Sequence, residues 1–456
     1  MYKKILIASL ALIAGLASCK KDDPTPSPNP PSGLTIDGVA STLEFYQLDT
    51  AHLSVAGVAK DAAAKAVWAV NGAKAAEGAT FDFTTAHPGK YEVTLTVDGK
   101  SAKHTYTVAP RFSEGAFLLN EGNFGNETGS LTYIHPSKKL VIDQAYYRVN
   151  GTKLGNVCQD LAFGNDQIYI LSQLGPKNGG EGLLTIARSN SLEKVKVYND
   201  EALAQSTPTH IAVLRDHIYI RTERDGILRG SSEGGFTPIT GTKKALKQRM
   251  AQIGERIFAL TKDNKILMIQ GTQVVRELDL SPAKPSGIAV SHDGKLWVST
   301  TSPNAILKVD PTPDNFVALD THILDKSISA TGPESWQRTT SSAFFAHGDK
   351  LYFTGQSSVI YCHDFATSKT SQVIDVKTID GVGTSANKYY NSLGVDPSTG
   401  ELYYAAFENY STYNKKNVTM VLKADGTKLL LKEKVNSFPA GFYFIPNAAS
   451  RTGANR

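Results

Sequence analysis

The sequence predicts an all-β chain in which a small immunoglobulin-like sandwich precedes a seven-bladed β-propeller. The main observation is a unit that recurs from Arg111 to about Asn447: a strand of small residues, a turn, then a strand with one central aromatic. Taking that aromatic as a marker gives Phe117, Tyr169, Tyr219, Phe258, Trp297, Tyr352 and Tyr403, spaced by 52, 50, 39, 39, 55 and 51 residues. Such intervals suit four-stranded blades with loops of varying length. A second observation is upstream, where Tyr91-Glu92-Val93-Thr94-Leu95-Thr96-Val97 alternates with period two and turns at Asp98-Gly99.

The repeat is clearest where Pro285-Ser286-Gly287-Ile288-Ala289-Val290 leads through Asp293-Gly294 to Leu296-Trp297-Val298, and where Pro208 to Val213 leads to Ile218-Tyr219-Ile220. Further copies start at Gln159, Ser342 and Ser392, with a weaker one from Met250 to Ile253. Phe117 has no preceding strand of its own, because Arg111 to Glu114 is short and polar. The missing strand is expected in Pro439-Ala440-Gly441-Phe442-Tyr443-Phe444, which would close the ring and leave no open sheet edge. Ala162, Ala212, Ala289 and Gly394 suit innermost strands, where bulk would clash near the axis.

From the N-terminus, Lys3 and Lys4 precede an apolar run from Ile5 to Leu16, too short to span a bilayer. Leu16-Ala17-Ser18-Cys19 resembles the lipobox of bacterial lipoproteins, which implies a signal over 1–18 and lipidation of Cys19. Lys20-Lys21-Asp22-Asp23 resembles the charged signal that sends lipoproteins of some Gram-negative bacteria to the cell surface. The expected location is therefore the outer membrane, held by lipid and facing the exterior. Prolines 24, 26, 28, 30 and 31 make 19–33 an extended tether rather than a folded element. A sandwich domain over 34–109, the propeller over 111–447 and a tail over 448–456 complete the division. Asp293-Gly294 and Asp425-Gly426 are read as hairpin turns and nothing more.

Within 34–109, a strand tryptophan (Trp68), then Phe81-Asp82-Phe83, then Pro88-Gly89-Lys90-Tyr91 resembles the PKD branch of immunoglobulin-like sandwiches. That resemblance implies a spacer. A net charge of +5, of which Lys3 and Lys4 leave with the signal, gives no basis for nucleic-acid binding. Cys158 and Cys362 read as small buried residues, able to pair only if their Cα atoms lie within about 7 Å. No HxH, HExxH or Cys/His spacing holds a metal, and no cofactor is expected. No GxSxG elbow is present, and Gly175 to Gly182 lacks the ending of a phosphate loop.

The block Phe117-Leu118-Leu119-Asn120-Glu121-Gly122-Asn123-Phe124-Gly125, followed by Gly129-Ser130-Leu131-Thr132-Tyr133, resembles the YncE-like surface propeller lipoproteins of the DUF5074 type. Relatives of this kind include surface propellers that capture cobalamin and pass it to a TonB-dependent transporter. The resemblance implies a non-enzymatic protein that captures a small ligand, a corrinoid, for such a transporter partner.

The expected binding face carries the loops into each innermost strand and those after each marker strand. Its candidate ligand residues are Glu121, Asn123, Phe124, Gln159, His210, Arg224, Arg249, Trp336, Arg338, Tyr389, Tyr390, Asn391 and Tyr410. Gln173, Glu223, Gln356, Glu408, Asn409 and Phe438 share those loops. Aromatic plates mixed with amides and arginines suit a large flat ligand with a polar edge. A different reading makes Glu121, Glu223 and Glu408 an acid/base set, as in a glycan-binding protein or polysaccharide lyase. A third is an adhesion protein with a plugged channel.

Overall fold

The computed structural model describes residues 33–39, 44–291, 293–328, 343–355 and 357–446, and all side chains within them but those of 389–392. Cys19, Trp336, Arg338 and Gln356 lie outside the described residues, as do the side chains of Tyr389, Tyr390 and Asn391. The chain is all-β and divides into two compact units. Among the described residues no helix is long and apolar enough to cross a membrane.

The smaller unit holds Ala51–Phe83 and Tyr91–Tyr106. Val67–Val70 pairs antiparallel with Gly89–Val97, placing Trp68 opposite Leu95. Both are fully buried, and the Trp68 indole N–H donates to the Gly78 carbonyl at 2.9 Å. Its hairpins turn at Asn71-Gly72 and Asp98-Gly99, where both residues of each pair have positive φ. Asn-Gly and Asp-Gly tolerate that left-handed backbone, which matches the twist of the strands they join.

Among the described residues the larger unit contains seven four-stranded antiparallel sheets. Six are built from consecutive strands, the first of them Asn156–Gly164, Gln167–Gly175, Leu184–Arg188 and Lys194–Tyr198. The remaining sheet joins both ends of the unit. Pro439–Phe444 pairs antiparallel with Ala116–Asn120, setting Pro439 opposite Asn120 and Phe444 opposite Ala116. Ser130–His135 and Leu140–Ile142 follow on the other side.

All seven marker aromatics are buried in second strands counted from the small-residue edge. Burying a side chain of this size contributes about 1.5–3 kcal/mol. They help fill apolar layers between successive sheets. Tyr169 and Ile186 meet Ile211 and Ile220, Tyr219 meets Ile257, and Phe258 meets Val298. Trp297 then meets Phe353, Tyr352 meets Tyr404, Tyr403 meets Leu118 and Phe442, and Phe117 meets Leu161 and Ile170. The last sheet thus packs on the sheet that pairs Ala116–Asn120 with Pro439–Phe444. First strands approach closely: a Cβ on Gly164 would sit 2.6 Å from Val213, and one on Gly394 would sit 2.5 Å from Phe442.

One sequence expectation needs correction here. Asp293 does more than turn a hairpin, because it accepts the Ser291 hydroxyl and the Lys295 amide and lies 2.9 Å from the Lys308 ammonium on the third strand.

Candidate functional site

The starts of the first strands and the ends of the second strands lie at one face of the larger unit. Asn120 ends its strand opposite Pro439, which begins the neighbouring one, so Glu121 and Phe438 meet there. The Glu121 N–H donates to the Phe438 carbonyl at 2.8 Å, and the Cys158 N–H donates to the Glu121 carbonyl at 3.1 Å. Below this level lies a charged floor. Asp160, 2% exposed, accepts the Tyr443 hydroxyl at 2.6 Å and the Ile211 amide at 2.9 Å. Arg249 Nε stands 3.5 Å from the same carboxylate, and its guanidinium covers the Tyr443 ring at 4.3 Å.

Gly441 makes that arrangement possible, since a Cβ there would fall 1.9 Å from Arg249 Nη2. Burial raises the Asp160 carboxyl above its ordinary value, and Arg249, Tyr443 and the Ile211 amide pull it back. Gln159 is buried beside Asp160, and His210 is fully buried with its ring against the Thr209 hydroxyl at 3.1 Å. Both lie beneath the surface of the face.

A second cluster surrounds Lys247, half-buried in the loop before Ala251–Ile253. Burial lowers its ammonium pKa, opposed by Glu121 and Glu223. Arg221, 1% exposed, donates twice to the Ala245 carbonyl and lies 3.1 Å from Glu223. Glu408 accepts from Lys416 at 3.0 Å and Thr412 at 2.9 Å, and these bonds hold its carboxyl below the usual range. A carboxylate held in that state is a poor general acid near neutral pH.

The outer level is aromatic. Tyr410, 59% exposed, stacks over Phe438 at 6.0 Å, which in turn stacks on Tyr413 at 4.3 Å. Phe407 closes the group edge-on to both Tyr410 and Phe438, and the Lys388 ammonium lies 6.0 Å from the Tyr410 ring. Phe124 is 63% exposed, with the Lys177 ammonium 3.6 Å from its ring centre. Asn123 caps the adjoining turn by accepting the Gly125 amide at 2.9 Å, and Arg224 is exposed.

Of the sequence-derived residues, Glu121, Gln159, His210 and Arg249 lie at the inner levels and Tyr410 at the outer one, while Phe124 is exposed beside Lys177. Asp160, Lys247, Phe438, Tyr413 and Tyr443 join them, although none was among the candidate ligand residues. Asp160 escapes a period-two reading because its strand shifts register at Asn156/Cys158 and again at Cys158/Asp160. No group of three or more His, Cys, Asp or Glu among the described residues is placed to hold a metal ion. Cys158 and Cys362 are both buried free thiols.

Comparison with known proteins agrees with a β-propeller-like fold. A quinonprotein alcohol dehydrogenase-like protein from Bacteroides thetaiotaomicron is similar with a TM-score of 0.59 at 15% identity, over 90% of this chain and 99% of its own. A protein from Lactobacillus plantarum scores 0.48 at 12% identity over 73% of this chain and 99% of its own. The WD40 β-propeller domain of Doa1 scores 0.41 at 10% identity over 60% of this chain and 82% of its own. Only the first of these passes 0.5, and at its identity it speaks for the fold alone. No curated protein sequence matches this chain. Residues 114–446, by contrast, match a family model described as a domain of unknown function, and the chain belongs to that family, DUF5074.

Proposed function

We propose that this protein is a lipid-anchored surface protein whose seven sheets form a closed seven-bladed propeller, spaced from the membrane by a PKD-type immunoglobulin-like domain. The propeller captures a small flat ligand on the face that carries Tyr410. The cyclic order of sheet-to-sheet packing, from Phe117 through Tyr403 and back, supports the ring. The Cys19 lipobox and the charged run behind it support anchoring and surface display.

The observation that carries the capture reading is the graded stack of Tyr410 on Phe438 on Tyr413. An exposed ring backed by two packed rings is a rigid plate that loses little entropy when a flat ligand settles on it. By resemblance the ligand is a corrinoid, handed to a TonB-dependent outer-membrane transporter. Titration of the protein from Gly33 onward with cyanocobalamin tests this, with one-to-one binding expected. The glycan-binding or lyase reading is weaker, because Glu408 and Glu223 are already engaged with Lys416 and Arg221. Glycan retention or cleavage that disappears in Glu121→Gln or Glu408→Gln would restore it.

A further inference from the structure

Two histidines meet across the seam between neighbouring sheets of the larger unit. His322 lies on Val317–Ile323, the fourth strand of the sheet that begins at Pro285, and His363 lies on Val359–Asp364, the third strand of the sheet that follows. Among the described residues no strand pairing joins these two sheets, so side chains hold the seam. His322 Nδ1 stands 2.9 Å from His363 Nε2. The His322 ring stacks flat on Phe365, with centroids 3.7 Å apart and planes within 8°, and Phe365 meets Trp297 edge-on at 4.6 Å. His363 is 2% exposed, and its Nδ1 lies 2.9 Å from the Thr370 hydroxyl. Leu324 and Ile328, which follow His322 along the chain, share one apolar cluster with Trp297, Phe353 and Phe365.

That contact needs a lone pair. One ring must donate its N–H and the other accept, which two neutral rings can do, as can one neutral and one protonated ring. With both rings protonated, two N–H groups face each other and the bond becomes a repulsion between like charges. The charged groups around the pair are few. Asp320 lies 3.4 Å from His322 Nε2 but is 60% exposed, so solvent screens it, and the Ser368 hydroxyl lies 3.4 Å from the same nitrogen. Lys308, opposite Asp320 in register, is engaged by Asp293 and Asp349. Asp364, next to His363, sits between Lys350 and Lys369 in register. Burial lowers the His363 pKa, as does His322, and Asp364 opposes them. A histidine held below its ordinary value of about 6.5 stabilises the fold in full above that pH, and the contribution is lost as pH falls through the folded value.

We propose that His322 and His363 form an acid-operated latch between these two sheets, closed while at least one ring is neutral and open when both are protonated. Opening frees Val317–Ile323 and residues 324–328 from the next sheet, and it requires no ligand on the Tyr410 face. Hydrogen exchange read by mass spectrometry tests this on the full chain in detergent, at pH 7.5 and pH 5, with the intrinsic exchange rates corrected. Peptides over 317–328 should lose protection at least about tenfold at pH 5. Arg256–Leu260 and Lys265–Gln270, in a sheet that contains no histidine, should keep theirs. His322→Gln and His363→Gln each replace a titrating ring with a neutral amide and should shrink the loss over 317–328 to less than about threefold. Unchanged protection over 317–328 in the parent overturns the proposal whatever the variants do. An equal loss in the histidine-free sheet overturns it as general acid loosening, and so does a full-sized loss in both variants.

Discussion

The Tyr443 hydroxyl donates to Asp160 at 2.6 Å, a bond between residues 283 positions apart that ties the strand Pro439–Phe444 to a first strand of the next sheet. Arg249, from the loop before the strand Ala251–Ile253, completes the group by placing its guanidinium beside the carboxylate and over the phenol ring. One buried charge pair and one phenol therefore hold together three parts of the unit that are far apart in sequence.

Removing either partner should be costly in a characteristic way. Tyr443→Phe deletes a hydrogen bond to a charged acceptor and should destabilise by about 1.5–3 kcal/mol in denaturant titration. Arg249→Met leaves a buried carboxylate without its counter-charge and should cost about 3–5 kcal/mol near pH 7. Because burial raises the Asp160 carboxyl in the folded protein, the folded state there holds the proton more tightly than the unfolded one. The stability of Arg249→Met should then be greatest below about pH 4 and fall as pH rises through the folded pKa. Asp160→Asn in the same background should flatten that slope. A slope of opposite sign would show that Asp160 is not the group responsible.

Asp293 should act in the reverse sense. Burial alone would raise its carboxyl, but the Ser291 hydroxyl, Lys308 and the Lys295 amide outweigh burial and hold it down at about 2. Its contribution is present above about pH 4 and lost as pH falls toward about 2. Since the side chain is 37% exposed, screening limits the effect to about 0–1 kcal/mol. Acid melts of Asp293→Asn against the parent measure it as a smaller loss of stability in that window.

The two buried cysteines should be chemically silent. Burial pushes the Cys158 thiol far above its ordinary value and raises that of Cys362 as well, so little thiolate is present at neutral pH. A disulfide reagent should leave both unmodified in the folded protein and modify both in denaturant. Rapid labelling under native conditions would contradict the packing around Gly129, where a Cβ would already fall 2.3 Å from the Cys158 sulfur.

The repeat was legible because burial in a four-stranded sheet leaves a strong mark on sequence. Trp297, Tyr169 and Tyr403 each sit in an apolar strand after a small-residue strand and a turn, and each is buried as the pattern requires. The Pro439–Phe444 strand was legible for a related reason, since Phe117 had no partner of its own upstream. The site was less so. Register shifts redirect Asp160, and the loop that carries Lys247, Gln248 and Arg249 has no periodicity from which a direction could be read. His210 looked like a rim residue from its place at the start of an innermost strand, yet every residue of that strand, Pro208–Leu214, is buried. Phe438 was read as a loop residue, and its role as the middle ring of the Tyr410 stack depends on two segments distant in sequence.

The most direct measurement is isothermal titration of the protein from Gly33 onward with cyanocobalamin, run on the parent, Tyr410→Ala and Glu408→Gln. The account expects one-to-one binding that weakens at least about tenfold, about 1.4 kcal/mol, in Tyr410→Ala and is retained in Glu408→Gln. Binding that is absent, or indifferent to the loss of the Tyr410 ring, would contradict corrinoid capture on this face.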